Sequence, residues 1–446
     1  MDREKIRIEI PPEAARIMRT LEEHGFEAYV VGGCVRDSLL GRAPNDWDIT
    51  TSAQPMQVKA LFARTVDTGL KHGTVTIPVH GENYEVTTYR IDGEYKDSRH
   101  PEKVTFTGSL QEDLQRRDFT INAMAYNVRD GLRDYFGGLS DLRRGIIRAV
   151  GDPAQRFKED ALRIMRAVRF AAQLGYEVEE NTLQAMKELA PSLVKISAER
   201  IASELEKLLV SPHPERLRTA YECGITAVIL PEFDRCMETE QHNPHHMYSV
   251  GEHTIHAVMH VRPDRILRWA MLLHDFGKPA CLSTDENGID HFYGHPEVSA
   301  RLANTILRRL KADNGTRQDV VRLTRYHDRG VGLSRKAVRK AVVEIGEELF
   351  PLFLEVKEAD TLAQSAYQRE EKLEHLRSLR AIYESILEDR NCLSLRDLAV
   401  HGDDLIAAGI TPGREIGRIL GEMLQEVLED PSHNDRQYLL GKYAGH

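Results

Sequence analysis

The sequence predicts an α+β protein, a mixed α/β head followed by a long helical body. Three observations carry that prediction. Between residues 28 and 150, short runs rich in Val, Thr and Tyr (AYVVGG, WDIT, GTVTIPV, YEVTTYRI, VTF) alternate with turns, as strands do, and FTINAMAYN adds a helical stretch. At Asp152-Pro153 an N-cap residue precedes a proline at the first helical position, opening a helix that Gly175 can close. Beyond it, ISAERIASELEKLLVS, DRILRWAMLLHDF, PEVSARLANTILRRL and REIGRILGEMLQEVLED carry apolar residues at i, i+3 and i+4. No repeat of fixed period and no low-complexity segment interrupts this order.

A chain of 446 residues has room for two or more cores. Its formal charge of −10 argues against sequence-blind coating of nucleic acid but permits a local basic groove. The five cysteines (Cys34, Cys223, Cys236, Cys281, Cys392) are scattered and never form C-x-x-C, so neither a disulfide framework nor a thiolate zinc site is indicated. The N-terminal stretch lacks an apolar signal region, and no apolar run approaches the roughly 20 residues of a membrane helix. The expectation is a cytoplasmic protein that neither crosses a membrane nor is exported through one.

The first candidate site is NDWDIT, residues 45–50. Read as a strand, it sets Asp46 and Asp48 side by side on one face, since residues at i and i+2 point the same way. Such a pair is costly unless a cation sits between the carboxylates, and with substrate phosphates completing the shell it suits Mg²⁺. The alternative is a solvated turn of Asn, Asp and Pro. Upstream, VVGGCVRD runs a strand into Gly32 and Gly33 and then a helix start; paired glycines let backbone N–H groups approach an anion, although two glycines alone also make an ordinary turn. Phosphate cradle and metal pair together describe nucleotidyl transfer.

These residues carry a resemblance. The order VVGGCVRDSLLGRAPNDWDITTSAQP, DLQRRDFTINAMAYN, GDPAQRFKEDALRIMRAVRFAAQLG and SAERIASELEKLL resembles the class II tRNA nucleotidyltransferases, the bacterial CCA-adding enzymes and their poly(A) polymerase relatives. The resemblance implies a polymerase-β-like nucleotidyltransferase head and an elongated all-α neck, body and tail that hold tRNA. It assigns Asp46 and Asp48 to the metals, Gly33 and Arg36 to the incoming nucleotide, and Arg117 to its sugar or phosphate. Glu85, in YEVTTYR, is the candidate third carboxylate or else an exposed strand residue. In KEDALRIMRAVRF, positions three apart lie about 60° apart on a helix, so Asp160 and Arg163 share a face. A bare pair of this kind is a weak surface salt bridge. In the family it is a protein template that hydrogen-bonds the Watson–Crick edges of CTP and ATP, because aspartate only accepts and arginine only donates. Arg166 and Arg169 continue around the helix towards phosphate, although Arg169 falls nearly opposite Asp160. The charged segment IDGEYKDSRHPEKVTF reads as a surface loop by composition; the resemblance implies a flexible loop that helps switch from C to A, and its full length favours complete CCA addition over A-only addition.

A second constellation follows in the helical half. His253 in GEHTIH, His274-Asp275 in LLHDFGKP, His295 in YGHPEVS, His327 in RYHDRG and Asp360 in KEADTLAQ keep the order H…HD…H…H…D. Imidazole and carboxylate suit divalent transition metals, and His253, His274, Asp275 and Asp360 can share one ion. The set resembles the HD phosphohydrolase superfamily, which implies a metal-dependent phosphohydrolase, with His295 and His327 completing a second metal site or a phosphate pocket. His242, His245 and His246 read as loop residues without a role.

The expected partners are tRNA, CTP and ATP, with no membrane, and the cofactors Mg²⁺ in the head and a divalent metal at the HD site. The alternatives are an A-adding enzyme or poly(A) polymerase, and an HD phosphohydrolase whose head has become a tRNA-binding module. The expected boundaries are 1–150 for the head, 151–230 for a neck with the base-selecting helix, 231–365 for a body with the HD motif, and 366–446 for a tRNA-binding tail.

Overall fold

The computed structural model describes residues 6–93, 104–389 and 392–444. Most of the charged segment between YEVTTYR and VTF, residues 94–103, therefore lies outside the described residues. The chain divides into two compact units, Met1–Pro231 and Glu232–His446.

The first unit is built on a seven-stranded sheet whose strands are β1 (Ala28–Val31), β2 (Ile49–Thr51), β3 (Val66–Gly69), β4 (Thr74–Val79), β5 (Glu82–Thr88), β8 (Met124–Asn127) and β9 (Gly131–Asp134), in the order β3-β4-β5-β2-β1-β8-β9. The intervening β6 (Arg90–Asp92) and β7 (Val104–Phe106) form a separate antiparallel pair. Within the seven-stranded sheet only β2 and β5 run parallel, with Ile49 opposite Val86. Every residue of β1 is buried, as a central strand covered on both faces requires. Tyr29 and Val31 pack with Leu110 and Leu114 of the helix Leu110–Gln115, and with Ala123 and Ala125.

Three local readings are corrected here. The strand in NDWDIT begins only at Ile49, so Asp46 and Asp48 lie on the segment entering the strand; Val31 still donates to the Asp48 carbonyl (3.0 Å), but Pro44, Asn45 and Asp46 are turn formers. FTINAMAYN is not helical beyond a single 3-10 turn at Thr120–Asn122. It continues as β8, because pairing with β1 (Val30 opposite Tyr126) and with β9 outweighs the helical preference of Ala and Met. The helix begun at Asp152-Pro153 is two helices, Pro153–Glu159 and Leu162–Leu174. Asp152 does cap the first, accepting from Ala154 N (3.0 Å), and Gly175 does close the second at φ 73°. Between them Asp160 is extended (φ −142°, ψ 103°), and its carboxylate accepts from Leu162 N (3.1 Å), an Asx turn that competes with helix continuation.

The second unit is helical apart from a short hairpin, Ser283–Thr284 with Asp290–His291. Its helices include Val250–His260, Arg265–Leu273, His295–Arg309, Asn314–Tyr326 and Phe350–Ala363. Ser249 caps the first, and Asp264 caps the second through Ile266 N (2.9 Å) and Leu267 N (3.1 Å), fixing where each helix starts. The terminal helices Gly402–Ala407, Arg414–Glu429 and Arg436–Tyr443 share a small core around Leu405, Val427, Leu428 and Leu439. Among the described residues no helix is long and apolar enough to cross a membrane.

Candidate functional site

A cavity of about 470 Å³ opens in the first unit where β1 ends. Gly32 makes the turn at φ 82°, ψ −125°, a backbone conformation that calls for glycine, and the Arg117 guanidinium lies close, 2.9 Å from where a Cβ would stand. Gly33, Arg36, Asp48, Arg117, Asp160, Arg163, Arg166 and Arg169 all line this cavity, with Arg116, Asp118, Asn122, Phe170 and Arg200 among the remaining lining residues. Asp46 and Glu85 do not. Seven arginines against three aspartates make the recess cationic within an acidic chain, the charge pattern that a triphosphate needs.

The arginines are held in place by buried acceptors. Asp118 accepts from Arg166 Nε (2.8 Å) and Nη2 (2.5 Å) at one oxygen, and from Phe119 N (2.8 Å) and Asn122 Nδ2 (3.1 Å) at the other; Asn122 in turn accepts from Arg36 Nη1 (2.8 Å). Burial pushes the Asp118 carboxyl up, but the charge and hydrogen bonds of Arg166 prevail and hold it below the usual carboxylate range. The Phe170 ring receives Arg169 at 3.8 Å, Arg36 at 5.0 Å and Arg166 at 5.3 Å from its centroid. Arg169 also pairs with Glu204 (2.5 Å); the helix break at Asp160 is why it faces the same cavity despite its place on a simple helical projection. Arg117 Nε is buried without a hydrogen-bond partner, a donor available to a ligand.

Asp160 and Arg163 enter the cavity separately rather than as a pair. Arg200 Nη2 reaches Asp160 Oδ2 at 2.7 Å, while Arg163 is pinned by Glu159 (2.7 Å) and by the carbonyls of Arg156 (3.0 Å) and Arg116 (2.9 Å). An acceptor and a donor group thus line the same cavity, each on its own anchors.

The parallel register that sets Ile49 opposite Val86 also brings the preceding residues, Asp48 and Glu85, alongside each other. Burial raises the Asp48 carboxyl, Arg117 pulls it down and Asp46 raises it again. For Glu85, burial leads and Asp48 and then Asp46 add to it. Carboxylates gathered closely enough that the charges of Asp46 and Asp48 reach Glu85 are a donor set that a divalent cation fits.

In the second unit His253, His274 and Asp275 form one group, and Asp275, His295 and His327 another, with the ligand atoms of each within 4.8 Å of one another. Among the described residues these are the only groups so tightly gathered. His274 follows directly on the helix Arg265–Leu273, His295 opens and His327 closes their helices, and Asp360 lies in Phe350–Ala363. Each histidine donates from Nδ1 to a backbone carbonyl: His253 to Ala363 (3.4 Å), His274 to Met271 (2.7 Å), His295 to Phe292 (2.8 Å) and His327 to Thr324 (2.7 Å). A carbonyl only accepts, so these bonds leave every neutral Nε2 as a bare lone pair turned inward. Yet His253 Nε2 and His274 Nε2 stand 3.3 Å apart, and His295 Nε2 and His327 Nε2 3.2 Å. Asp275 turns Oδ2 to the first pair (3.4 and 3.2 Å) and Oδ1 to the second (3.3 and 3.5 Å), and neither oxygen has a hydrogen bond in donor geometry although the Lys278 ammonium is 2.7 Å away. Ligands at about 2.1 Å from a common cation stand roughly 3.0–3.4 Å apart, so this spacing fits a divalent cation in either group, and Asp275 belongs to both. Asp360 Oδ1 completes the first group, 2.9 Å from His253 and 3.7 Å from His274. Burial pushes His274 down, but Asp275 and Asp360 lift it to about 10, so the pocket stabilises positive charge strongly.

Comparison with known proteins fits this geometry. Family profiles match in chain order: the Poly A polymerase head domain over residues 28–148, a probable RNA- and SrmB-binding site of polymerase A over 175–237, and a putative tRNA nucleotidyltransferase domain 2 over 282–442. A CCA-adding enzyme of Limosilactobacillus fermentum is 38% identical over 438 residues, 97% of this chain and 96% of that protein. The chain belongs to the CCA-adding enzyme family. The Geobacillus stearothermophilus CCA-adding enzyme is 51% identical over 222 residues, 49% of this chain and 55% of that protein. The crystal structure of the Bacillus stearothermophilus CCA-adding enzyme in complex with CTP superposes with a TM-score of 0.71 at 31% identity, covering 97% of this chain and 98% of that one. The Thermotoga maritima CCA-adding enzyme complexed with tRNA shares the fold, with a TM-score of 0.57 at 21% identity.

Sequence reasoning missed several residues that this family member places in its sites. Asp118 and Asn122 lie within the quoted RRDFTIN stretch, and Glu159 precedes Asp160, but nothing local says that they anchor arginines. Lys278 follows Asp275 by three residues, at the start of the next short helix, close enough in sequence to have been noted as its partner. His246, read as a loop residue, packs edge-on against His253 at 5.1 Å and lines the same cavity as Asp275, His295, His327 and Asp360, where burial pushes it down to about 2.

Proposed function

We propose that the chain adds CCA to the 3′ end of tRNA without a nucleic-acid template, taking CTP and ATP in turn. The observation that carries this reading is the single recess in which a cationic wall, the Asp48 carboxylate, and an acceptor–donor pair on separate anchors meet. Arg36, Arg117, Arg166 and Arg169 bind and orient the triphosphate. Asp160 and Arg163 present the complement of the Watson–Crick edges of cytosine and adenine and reject the pattern of uracil and guanine. Asp46 and Asp48, with Glu85 as the third carboxylate, would hold Mg²⁺, which supplies alignment of the attacking hydroxyl and the leaving pyrophosphate and offsets their charge. The neck at 151–230 carries base selection, the body at 231–365 the second centre, and the tail at 366–446 contacts to tRNA, in the cytoplasm. The test is incubation with tRNA lacking CCA, tRNA ending in CC, and unstructured RNA, with labelled CTP and ATP given separately and together. Ordered addition of two C and one A to the first substrate is expected; long A tails on unstructured RNA would establish a poly(A) polymerase instead.

A second activity is supported by the inward-facing Nε2 atoms and by Asp275, which belongs to both groups. His253, His274, Asp275 and Asp360 would hold one divalent ion and His295 and His327, with Asp275, another, and the ions would supply activation of water towards a phosphate ester. Lys278 pairs with Asp275 (2.7 Å) and is itself held by Gln241 (2.9 Å), so it helps to fix where the Asp275 carboxylate stands. Phosphomonoesters and 2′,3′-cyclic phosphates are the expected substrates. Hydrolysis that is stimulated by a divalent metal and lost in both His274→Ala and Asp275→Ala is the expected result.

A further inference from the structure

The metal pocket of the second unit has a built rim that metal binding does not require. The cavity of about 320 Å³ that contains Asp275, His295, His327 and Asp360 is also lined by His291 and Tyr293. Tyr293 is 78% exposed, although it lies only two residues before the metal-facing His295. Its ring is parallel to that of His291, 9° apart in plane with centroids 5.2 Å apart, an offset stack that covers one face and leaves the other open.

The pair is held rigidly. His291 Nε2 meets Asp285 Oδ2 at 3.1 Å, and its Nδ1 meets the Tyr293 hydroxyl at 3.3 Å. Asp285 Oδ1 also ties the hairpin turn through Asn287 N (2.9 Å) and Ile289 N (3.0 Å). Buried Asp290, on the strand that ends at His291, is fastened on both oxygens, by Thr284 Oγ1 (2.7 Å) and by His242 N (2.8 Å). An exposed aromatic on a braced hairpin, continuous with the chain that supplies a metal ligand, gains nothing for folding by being there. It is pre-organised for a flat ring that enters together with a phosphate.

We propose that Tyr293, backed by His291, is the base-stacking platform of the second centre, so that this centre selects nucleoside phosphates and RNA strand ends over phosphate esters without a base. The proposal rests on the phosphohydrolase reading for its chemistry but not for the stacking itself. Simple esters find the same metals and Lys278; a nucleotide finds in addition one open aromatic face. Stacking of a base on an aromatic side chain corresponds to roughly 5- to 100-fold in affinity.

The test uses the full-length protein with no other nucleotide present, and wild type, Tyr293→Ala and Tyr293→Phe are compared. With excess Mn²⁺, the ratio of kcat/KM for adenosine 3′-monophosphate to that for glycerol 2-phosphate is expected to fall about 5- to 100-fold in Tyr293→Ala, chiefly through KM, and to be restored in Tyr293→Phe. Independently of turnover, the fluorescence of 2-aminopurine riboside 3′-monophosphate is expected to be quenched by wild type and Tyr293→Phe but not by Tyr293→Ala. Quenching that depends on Tyr293 in a protein that hydrolyses nothing would sustain the platform and remove the phosphohydrolase reading. Hydrolysis in which neither the ratio nor the quenching moves by twofold between wild type and Tyr293→Ala overturns the platform.

Discussion

Arg200→Ala isolates the way the Asp160 carboxylate, the proposed base reader, is held. In the folded protein Asp160 has two anchors, Leu162 N on Oδ1 (3.1 Å) and Arg200 Nη2 on Oδ2 (2.7 Å). Removing Arg200 leaves the Asx turn but frees the second oxygen to rotate. A hydrogen bond between charged groups contributes about 1.5–3 kcal/mol. The two side chains are 23% and 18% exposed, so water screens part of that, and about 1–2 kcal/mol is the expected loss of orientation. That loss falls on discrimination, because a misdirected carboxylate no longer distinguishes an amino donor from a carbonyl acceptor. The ratio of kcat/KM for CTP to that for UTP, measured as single-nucleotide addition to tRNA lacking CCA, should therefore drop about 5- to 30-fold. The melting temperature should change little. If all four nucleotides slow by the same factor and their ratios stand, Asp160 does not read the base through an Arg200-held geometry.

Asp46→Ala and Asp48→Ala should each abolish nucleotide addition while tRNA binding, measured by filter retention, stays within a few-fold of wild type; equal loss of binding would make the pair structural. Asp118 is an acid whose folded pKa is depressed, so its stabilisation is complete above its unfolded pKa of about 3.9 and is lost as pH falls through the folded value. The difference in melting temperature between wild type and Asp118→Asn should accordingly hold from pH 7 to about pH 4 and shrink below it, and a difference that grows on acidification would contradict the Arg166 pairing. Mn²⁺ should raise the melting temperature of the protein and not that of His274→Ala, as a ligand specific to the folded state must, and a chelator should reverse the shift without affecting the head's fold.

What could be read in the sequence was what chemistry forces into short spacing. Gly32-Gly33, Asp46 and Asp48, Asp160 and Arg163, and the ordered histidines each sit in a stretch whose residue types are hard to explain singly. What could not be read depends on partners distant in the chain. Arg200 reaches Asp160 across 40 residues, and Asp118 serves Arg166 across 48. No local pattern announces either. The helical expectation for FTINAMAYN failed because a strand in the middle of a sheet draws its preference from neighbours on both sides rather than from its own side chains. The break at Asp160 was hidden among strong helix formers, although an aspartate inside such a run can turn its carboxylate back on the following N–H groups.

The concentration of arginine in the head cavity has a kinetic consequence. A net charge of −10 repels a nucleotide at long range, whereas the seven arginines against three aspartates that line the recess reverse the sign locally. Encounters elsewhere are short, so a triphosphate that lingers does so at the reacting end of the protein. Because the sign change acts over about 8 Å in physiological salt, added salt weakens attraction at the mouth and repulsion around it together. Productive collisions then become a smaller share of all collisions, and ionic strength sets how much of the protein's surface the nucleotide has to search.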